Sequence, residues 1–539
     1  MPRERMYRTS RLISPGEKNG SVAGYPELLE ITGHPVEILH QKAMKDFQEL
    51  LSRQSRTVEE AIEEYTRRYE RAPPPGFDDW VKYAQVQQSP IIDDFDMILE
   101  NLEPFYRLEP QAVRQLMEDV TRGNNTAVTL CSYTKRKGFQ NCGRFGETMG
   151  SILGKAKKRL PDMVFPLNLL DEPSVLLSGG EDDDTALDWP DLAHQSIVDE
   201  VTAACVHKGH ASTTKPAANR IETYGLPFVQ NVEEEKNLCL HPEYEDQHGF
   251  LNSPTSFRRL GRAAPLVSRA APYPFADVLM PSPHYAFRNN LYNRWSDRPW
   301  HKKKNAVFWH GSTTGGYWHK GASWMAGHRQ RFTALTTMPG PANRTFSYLE
   351  PSHHHHTGRS NDTSAPRDHP YRRRSSPSLD HTLFDVHISR ILQCDPEQCS
   401  QQSSFFHTPA SSPSPPPASR QYRYRLAFDI DGNSYSGRFH QHLAGHTTPL
   451  KMSIFREWHD ERLVPWLHYV PVSTGMEELP ELVRFLTGTV AGRGVAERVA
   501  EEGRGWYDRA VGPVHQGLYL YRLLLELGWL QDPARVVVV

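Results

Sequence analysis

The sequence predicts an α/β fold, and three observations carry the prediction. Short apolar runs of strand length recur along the chain, at 127–131, 163–168, 306–309, 383–391, 425–430 and 467–472. Around them, apolar residues step by three and four, the period of a helix with one buried face. Turn-forming residues close several of these runs: Asp171-Glu172-Pro173, the Gly311–Gly316 stretch, and Asp431-Gly432-Asn433. Strands that alternate with helices pack as layers, with helices against a sheet.

Taken in order, residues 1–25 are polar and predicted to be loose. From His34 to Arg71 the pattern is helical, with Ile38, Leu39, Ala43, Phe47 and Leu50 on one stripe. Thr57 and Glu60 form a capping-box signature for a second helix start. The run Ala72-Pro73-Pro74-Pro75-Gly76 ends that helix, because proline lacks the N–H and pushes its predecessor extended. Phe77 to Ala84 predicts a short amphipathic helix, and 102–120 further helical segments. Near the end of the chain, 477–486 and 496–510 are helical, and 516–527 is a strongly apolar helix.

Two stretches break the pattern. Residues 351–381 and 400–420 are rich in Ser, Pro and charge, and predict disordered insertions. The His353–His356 run lies in the first. Four adjacent histidines in a flexible loop offer a metal no fixed geometry.

Composition narrows the function. The chain has 539 residues, enough for two or three domains. Lys+Arg total 62 against 64 Asp+Glu, which argues against a general nucleic-acid binder with its strongly basic face. Six cysteines are too few for a disulfide-dense secreted scaffold. Cys131, Cys142, Cys205 and Cys239 are too scattered for a Cys₄ or Cys₂His₂ zinc spacing. No apolar run approaches the roughly 18 residues of a membrane span, and the basic N-terminus lacks a signal peptide's apolar core. Taken as written, the sequence predicts a soluble chain that starts in the cytosol.

Four segments carry candidate chemistry, each with a plain alternative. The Gly/Ser/Thr-rich turn at His310, Gly311, Ser312 and Thr313 can aim N–H groups and hydroxyls at phosphate, with Arg329 just downstream. It is also an ordinary Gly-rich turn beside a basic face, and it is not a Walker loop. In the segment Phe428–Phe439, Ser436 and Arg438 suit a diphosphate, and Asp429-x-Asp431 suits a divalent metal; the same residues make a good turn. Asp171, at the end of a strand-like run, stands where ligands sit in open α/β sheets and can act as general base, or it caps a turn. Lys451 and the charged, helix-like 455–462 segment offer Glu457 or Asp460 to a ribose, or form a salt-bridged surface helix.

The order and wording of these blocks are more specific than any one of them. The chain resembles the fungal branch of glycosyltransferase family 90, the capsule-associated glycosyltransferases related to animal protein O-glucosyltransferases. The carriers include Pro73-Pro74-Pro75-Gly76-Phe77-Asp78-Asp79-Trp80, Ser89-Pro90-Ile91-Ile92-Asp93-Asp94, Leu160-Pro161-Asp162-Met163 and Phe308-Trp309-His310-Gly311-Ser312-Thr313-Thr314-Gly315-Gly316. They continue with His328-Arg329-Gln330-Arg331-Phe332, Asp429-Ile430-Asp431-Gly432-Asn433-Ser434 and Phe455-Arg456-Glu457-Trp458-His459-Asp460.

The resemblance implies a GT-B architecture, two Rossmann-like domains facing a cleft. It divides the chain into a disordered segment 1–33, a helical region 34–120 and an acceptor and base domain 121–290. A donor domain 291–490 follows, with insertions 351–381 and 400–420, then C-terminal helices 491–539. It implies an inverting UDP-sugar glycosyltransferase with Asp171 as base and no metal or other cofactor. A β-1,2-xylosyltransferase acting on mannose-containing glycans is the particular case. His310, Gly311, Ser312, Thr313, Arg329, Ser436, Arg438, Lys451 and Glu457 would hold the donor, and a glycan or glycoprotein would be the acceptor.

The family pattern has Arg where His310 stands, which leaves open a catalytically weakened member that binds glycan or nucleotide, or an interaction protein. The resemblance also implies a Golgi or endoplasmic reticulum lumen location behind an N-terminal membrane tether that this chain lacks. Cys394 and Cys399 can pair there, and acceptor triplets stand at Asn19, Asn124, Asn343 and Asn361.

Overall fold

The computed structural model describes residues 33–122, 127–177, 189–210, 225–287, 291–338, 344–351, 371–408 and 418–537. Five helices come first: α1 (Pro35–Ser52), α2 (Val58–Tyr69), α3 (Phe77–Val86), the short α4 (Asp96–Glu100) and α5 (Pro110–Asp119). The Thr57 capping box forms as predicted. Its hydroxyl accepts from the Glu60 N–H, and the Glu60 carboxylate accepts from the Thr57 N–H.

Two five-stranded sheets follow. The first is built from β1 (Val128–Thr134), β2 (Gly138–Gln140), β3 (Met163–Asn168), β4 (Val267–Ser268) and, after the two-residue β5 (Ala270–Ala271), β6 (Val278–Leu279). Its order is β2-β1-β3-β4-β6. β1 pairs antiparallel with β2 and β3, whereas β3–β4 and β4–β6 are parallel. α6 (Gly146–Leu153) precedes β3, and α7 (Val198–His207), α8 (Val232–Glu235) and α9 (Gly249–Asn252) lie between β3 and β4.

The second sheet is parallel throughout. It contains β7 (Lys304–Ser312), and beyond a hairpin of β8 (Phe346–Pro351) and β9 (Tyr371–Ser376) come β10 (Phe384–Arg390), β11 (Tyr424–Ile430) and β12 (Thr448–Met452). β13 (Arg456–Glu457) pairs with β5 instead, and β14 (Val470–Pro471) completes the sheet in the order β10-β7-β11-β12-β14. A parallel sheet needs cover on both faces. Its helices are α10 (His328–Thr337), α11 (Pro396–Phe405), α12 (Phe439–Ala444), α13 (Leu479–Gly488) and α14 (Val490–Trp506). Phe332 of α10 stacks on Phe428 of β11 at 4.0 Å and meets Trp309 of β7 edge-on, so α10 lies on the Trp309 face.

The last helix, α15 (Pro513–Leu530), crosses back to the first sheet. The Trp80 indole donates to the Leu518 carbonyl (3.0 Å), and a Cβ at Gly517 would meet the Ile152 carbonyl at 2.5 Å. The helix is buried nearly all round, as its continuous apolar pattern requires. Its charges are paired inside: Arg522 donates to Glu526, which also accepts from Tyr65 and Tyr106.

Two expectations are corrected. Part of the predicted disorder is folded, since residues 371–376 are β9, and Arg374 donates to Glu350 of β8 (2.6 Å). Residues 400–405 complete α11, where buried Gln402 accepts from Gln330 (3.0 Å). Composition misled here because backbone pairing and a single buried amide need few apolar side chains. Residues 352–370 and 409–417 lie outside the described residues, as do the His353–His356 run and the acceptor asparagines Asn19, Asn124, Asn343 and Asn361. Second, 455–462 is no helix: it is β13 and a 3₁₀ turn at Asp460–Arg462, with Glu457, His459 and Arg462 buried. Pairing with β5 overrides the local helical pattern. The scattered cysteines, whose spacing fits no zinc site, meet in space as Cys131–Cys142 and Cys205–Cys239 disulfides, and Cys394 pairs with Cys399 as the resemblance implied. Among the described residues, no helix is long and apolar enough to cross a membrane.

Candidate functional site

The loops at the carboxyl ends of β3, β7 and β11 converge. A hydrogen-bond chain ties them. Buried Glu172, after β3, accepts from the Thr255 N–H (2.7 Å); the Thr255 hydroxyl donates to Asn433 (3.3 Å); and the Gly315 N–H donates to the same Asn433 oxygen (3.1 Å). Burial pushes Glu172 up to about 7. The turn after β7 is bound to glycine at two points. A Cβ at Gly311 would meet the Trp309 ring at 2.4 Å. Gly315 has φ +111° and faces His328.

Two arginines dominate this end of β7. Arg329, in the first turn of α10, donates through Nε to the Asp431 carbonyl (2.6 Å). Its Nη1 donates to the Ser312 carbonyl (3.0 Å) and the Thr314 hydroxyl (2.6 Å). Arg438 donates to the His310 carbonyl (2.6 Å). Both guanidinium carbons stand about 6 Å from the Trp309 ring centroid, at 5.8 and 6.0 Å. Neither forms an ion pair among the described residues. Burial, and then the Arg438 charge, push Arg329 down to about 9; burial also pushes Arg438 down. The charges of Asp431 and Asp429 reach Arg329, and that of Asp429 reaches Arg438. Among the described residues no carboxylate stands within ion-pair distance of either, an arrangement that can take an anion.

The other predicted donor residues occupy different environments. Thr313 is a strut: its hydroxyl donates to the Leu392 carbonyl (2.9 Å) and accepts from the Leu392 N–H (2.8 Å). Ser312 keeps its hydroxyl beside Thr314 (3.2 Å). The His310 imidazole turns to Asp385 (2.9 Å), so only its carbonyl faces Arg438. Ser436 donates to Asp429 (2.5 Å). Lys451 lies buried between Asp429 (3.3 Å) and Glu457 (3.2 Å), and its charge is neutralised within the protein. Glu457 accepts from Tyr285 (2.5 Å) and is pushed up to about 7 by burial. Asp431 accepts from the Ile454 N–H (3.0 Å), and burial pushes it up to about 7.

Asp171 stands across from this loop. Its side chain is 42 % exposed, and its Oδ1 accepts from Arg269 Nη2 (3.3 Å). Arg269 is buried, packs over the Phe145 ring at 5.0 Å, and has no further partner at Nε or Nη1. The Asp171 charge reaches both His284 and Tyr435, which hydrogen-bond to each other. Burial, then Arg269 and Arg144, hold His284 down at about 4. Asp171 therefore faces the segment that also carries Ser436 and Arg438. Arg269 escapes sequence reasoning because it stands in no motif; Thr314 and Tyr435 lie inside the quoted Phe308–Gly316 and Phe428–Phe439 segments, but nothing in the spacing singles them out.

The architecture is that of an α/β protein whose loops meet around the Arg329 and Arg438 pair with the Asp171 carboxylate opposite. The model of Glycosyl transferase family 90 matches residues 398–532, a span that includes β11, Arg438, Lys451 and Glu457. That match makes this C-terminal part of the chain similar to glycosyltransferase family 90. No curated protein matches the chain.

Proposed function

We propose that this chain is an inverting glycosyltransferase that moves a sugar, xylose or glucose, from a UDP-sugar to a hydroxyl of a glycan or glycoprotein. In this reading the two sheets belong to GT-B lobes. The parallel sheet carries the donor, and the first sheet carries the acceptor side and the base. The observation that carries the proposal is the Arg329–Arg438 pair, two guanidinium forks beside each other with no carboxylate on them. A diphosphate supplies the missing negative charge in the geometry a guanidinium recognises.

The reaction follows from the placement. Asp171 takes the proton of the acceptor hydroxyl as its oxygen attacks the anomeric carbon. The bond from that carbon to the UDP oxygen breaks, and the β-phosphate keeps the electron pair. Arg329 and Arg438 stabilise that charge and supply the positive field a metal ion would otherwise bring. Three disulfides, which take up all six cysteines, support a lumenal location, since such bonds persist in oxidising compartments.

The test compares wild type with Asp171→Asn. UDP release is measured from UDP-xylose and UDP-glucose, and UDP binding by calorimetry. Wild type is expected to turn over one of the two, with Asp171→Asn slower by about 10³-fold, in the range of general-base losses. UDP affinity should be unchanged. Wild type that neither binds UDP nor turns over either donor overturns the proposal.

A further inference from the structure

We propose that His310, Asp385 and His387 form a binding site for one divalent transition-metal ion of the zinc class. The site lies at the edge of the parallel sheet, its side chains on the face opposite the arginine pair although Arg438 donates to the His310 carbonyl, and it does not rest on the function proposed above.

The register of two strands builds it. β10 runs parallel to β7 with His387 opposite His310 and Asp385 opposite Phe308. Side chains alternate along a strand, so Asp385 and His387 emerge on one face, the face His310 shares with Phe308. Trp309, with Arg329 and Arg438 over its ring, points the other way. Asp385 Oδ1 lies 2.9 Å from His310 Nε2 and 3.2 Å from His387 Nε2. All three ligand atoms lie within 4.8 Å of one another. In a tetrahedral site with metal–ligand bonds of about 2.0–2.1 Å, neighbouring ligands stand about 3.3 Å apart. Two of the three separations are thus near that spacing before any ion arrives, and the exposed His387 side chain can swing to bring the third to it.

The surroundings fix the ligands. The second Asp385 oxygen accepts from the Tyr424 hydroxyl and from Arg420 Nη2 (3.2 Å), which aims Oδ1 at the two imidazoles. Such outer hydrogen bonds orient metal-binding carboxylates. The His310 ring stacks on Phe308 at 4.5 Å. The His387 side chain is 62 % exposed, so an ion can enter from solvent and keep a water as fourth ligand. Two imidazoles and one carboxylate select zinc, cobalt, nickel or copper over magnesium and calcium, which prefer oxygen ligands alone.

The test is titration of the metal-free full chain with Co²⁺, followed by its visible absorption bands, with Zn²⁺ as competitor. Every protein in the series carries alanine at 353, 354, 355 and 356, because that histidine run can capture metal by itself. The expected result is one equivalent of four-coordinate Co²⁺, displaced by Zn²⁺. His387→Ala and Asp385→Asn should each weaken binding by at least tenfold. His387 is exposed, so its variant should keep the fold, as an unchanged melting temperature would show. No stoichiometric Co²⁺ binding, or binding equally tight in His387→Ala, overturns the proposal.

Discussion

Two cationic regions lie within one loop system and behave in opposite ways. Around Lys451, the positive charge has its counterparts: Asp429 and Glu457 flank the ammonium, and Ser436 and Tyr285 donate to the remaining carboxylate oxygens. Around Trp309, Arg329 and Arg438 confront each other and donate only to carbonyls and hydroxyls. In the first region carboxylates stand within ion-pair distance of the cation; in the second, among the described residues, none does. A positive side chain near a phosphate-like loop is therefore not a phosphate ligand by virtue of its charge; what matters is whether the fold has already neutralised it.

The sharpest way to break this comparison is Lys451→Met. Removing one partner from a buried ionic cluster leaves Asp429 and Glu457 uncompensated, and the expected cost is about 3–5 kcal/mol of folding stability. Chemical denaturation reads it. A variant as stable as wild type would remove the distinction between the two regions.

Arg438→Met should do the reverse. UDP affinity is expected to fall by about 2 kcal/mol, or roughly 30-fold, the loss of a charge-assisted contact. The melting temperature should change little, because a confined like-charge pair is relieved. Calorimetry beside a thermal melt separates the outcomes, and a large stability loss with intact UDP affinity would make Arg438 structural.

The smallest effect concerns the histidines under the arginine pair. His248 stacks on His328 at 3.8 Å, near Arg329, Arg331 and the Asp431 carboxylate (3.6 Å). Burial, then the two arginine charges, hold His248 down at about 3. The neutral ring is the folded form, so its contribution is complete above the unfolded pKa near 6.5. It is lost as pH falls from there toward 3. His248→Gln should flatten the acid limb of the stability curve by about 1.4 kcal/mol per pH unit, the slope of one proton. Denaturation at pH 4.5, 5.5 and 6.5 measures the slope, and an unaltered slope would mean that His248 does not stay neutral in the fold.

Much of the fold was legible in the chain. The Thr57 cap, the helix stop at Pro73-Pro74-Pro75, and the runs that became β3, β10 and β11 are local features, fixed by backbone sterics and apolar period. Asp171 was readable as a candidate because it stands just beyond a strand's carboxyl end, where ligands gather, and Arg438 because its planar charged fork suits a diphosphate.

Other features were decided only by tertiary contact. The 455–462 segment has a helical charge pattern, yet β5 draws it into a strand whose Glu457 is buried. The basic Tyr371–Ser376 stretch looks disordered but pairs with β8. Thr313 and Thr314 are neighbours of the same type, but Thr313 is bound to Leu392 and Thr314 meets Arg329. Arg269 carries no motif, and its place beside Asp171 comes from the route of the chain between β4 and β5. Sequence by itself determined which segments form helices and strands, because those forces act over a few residues. Which charges are neutralised and which stay open to a ligand depends on residues far apart in the chain, and only the packed structure sets those distances.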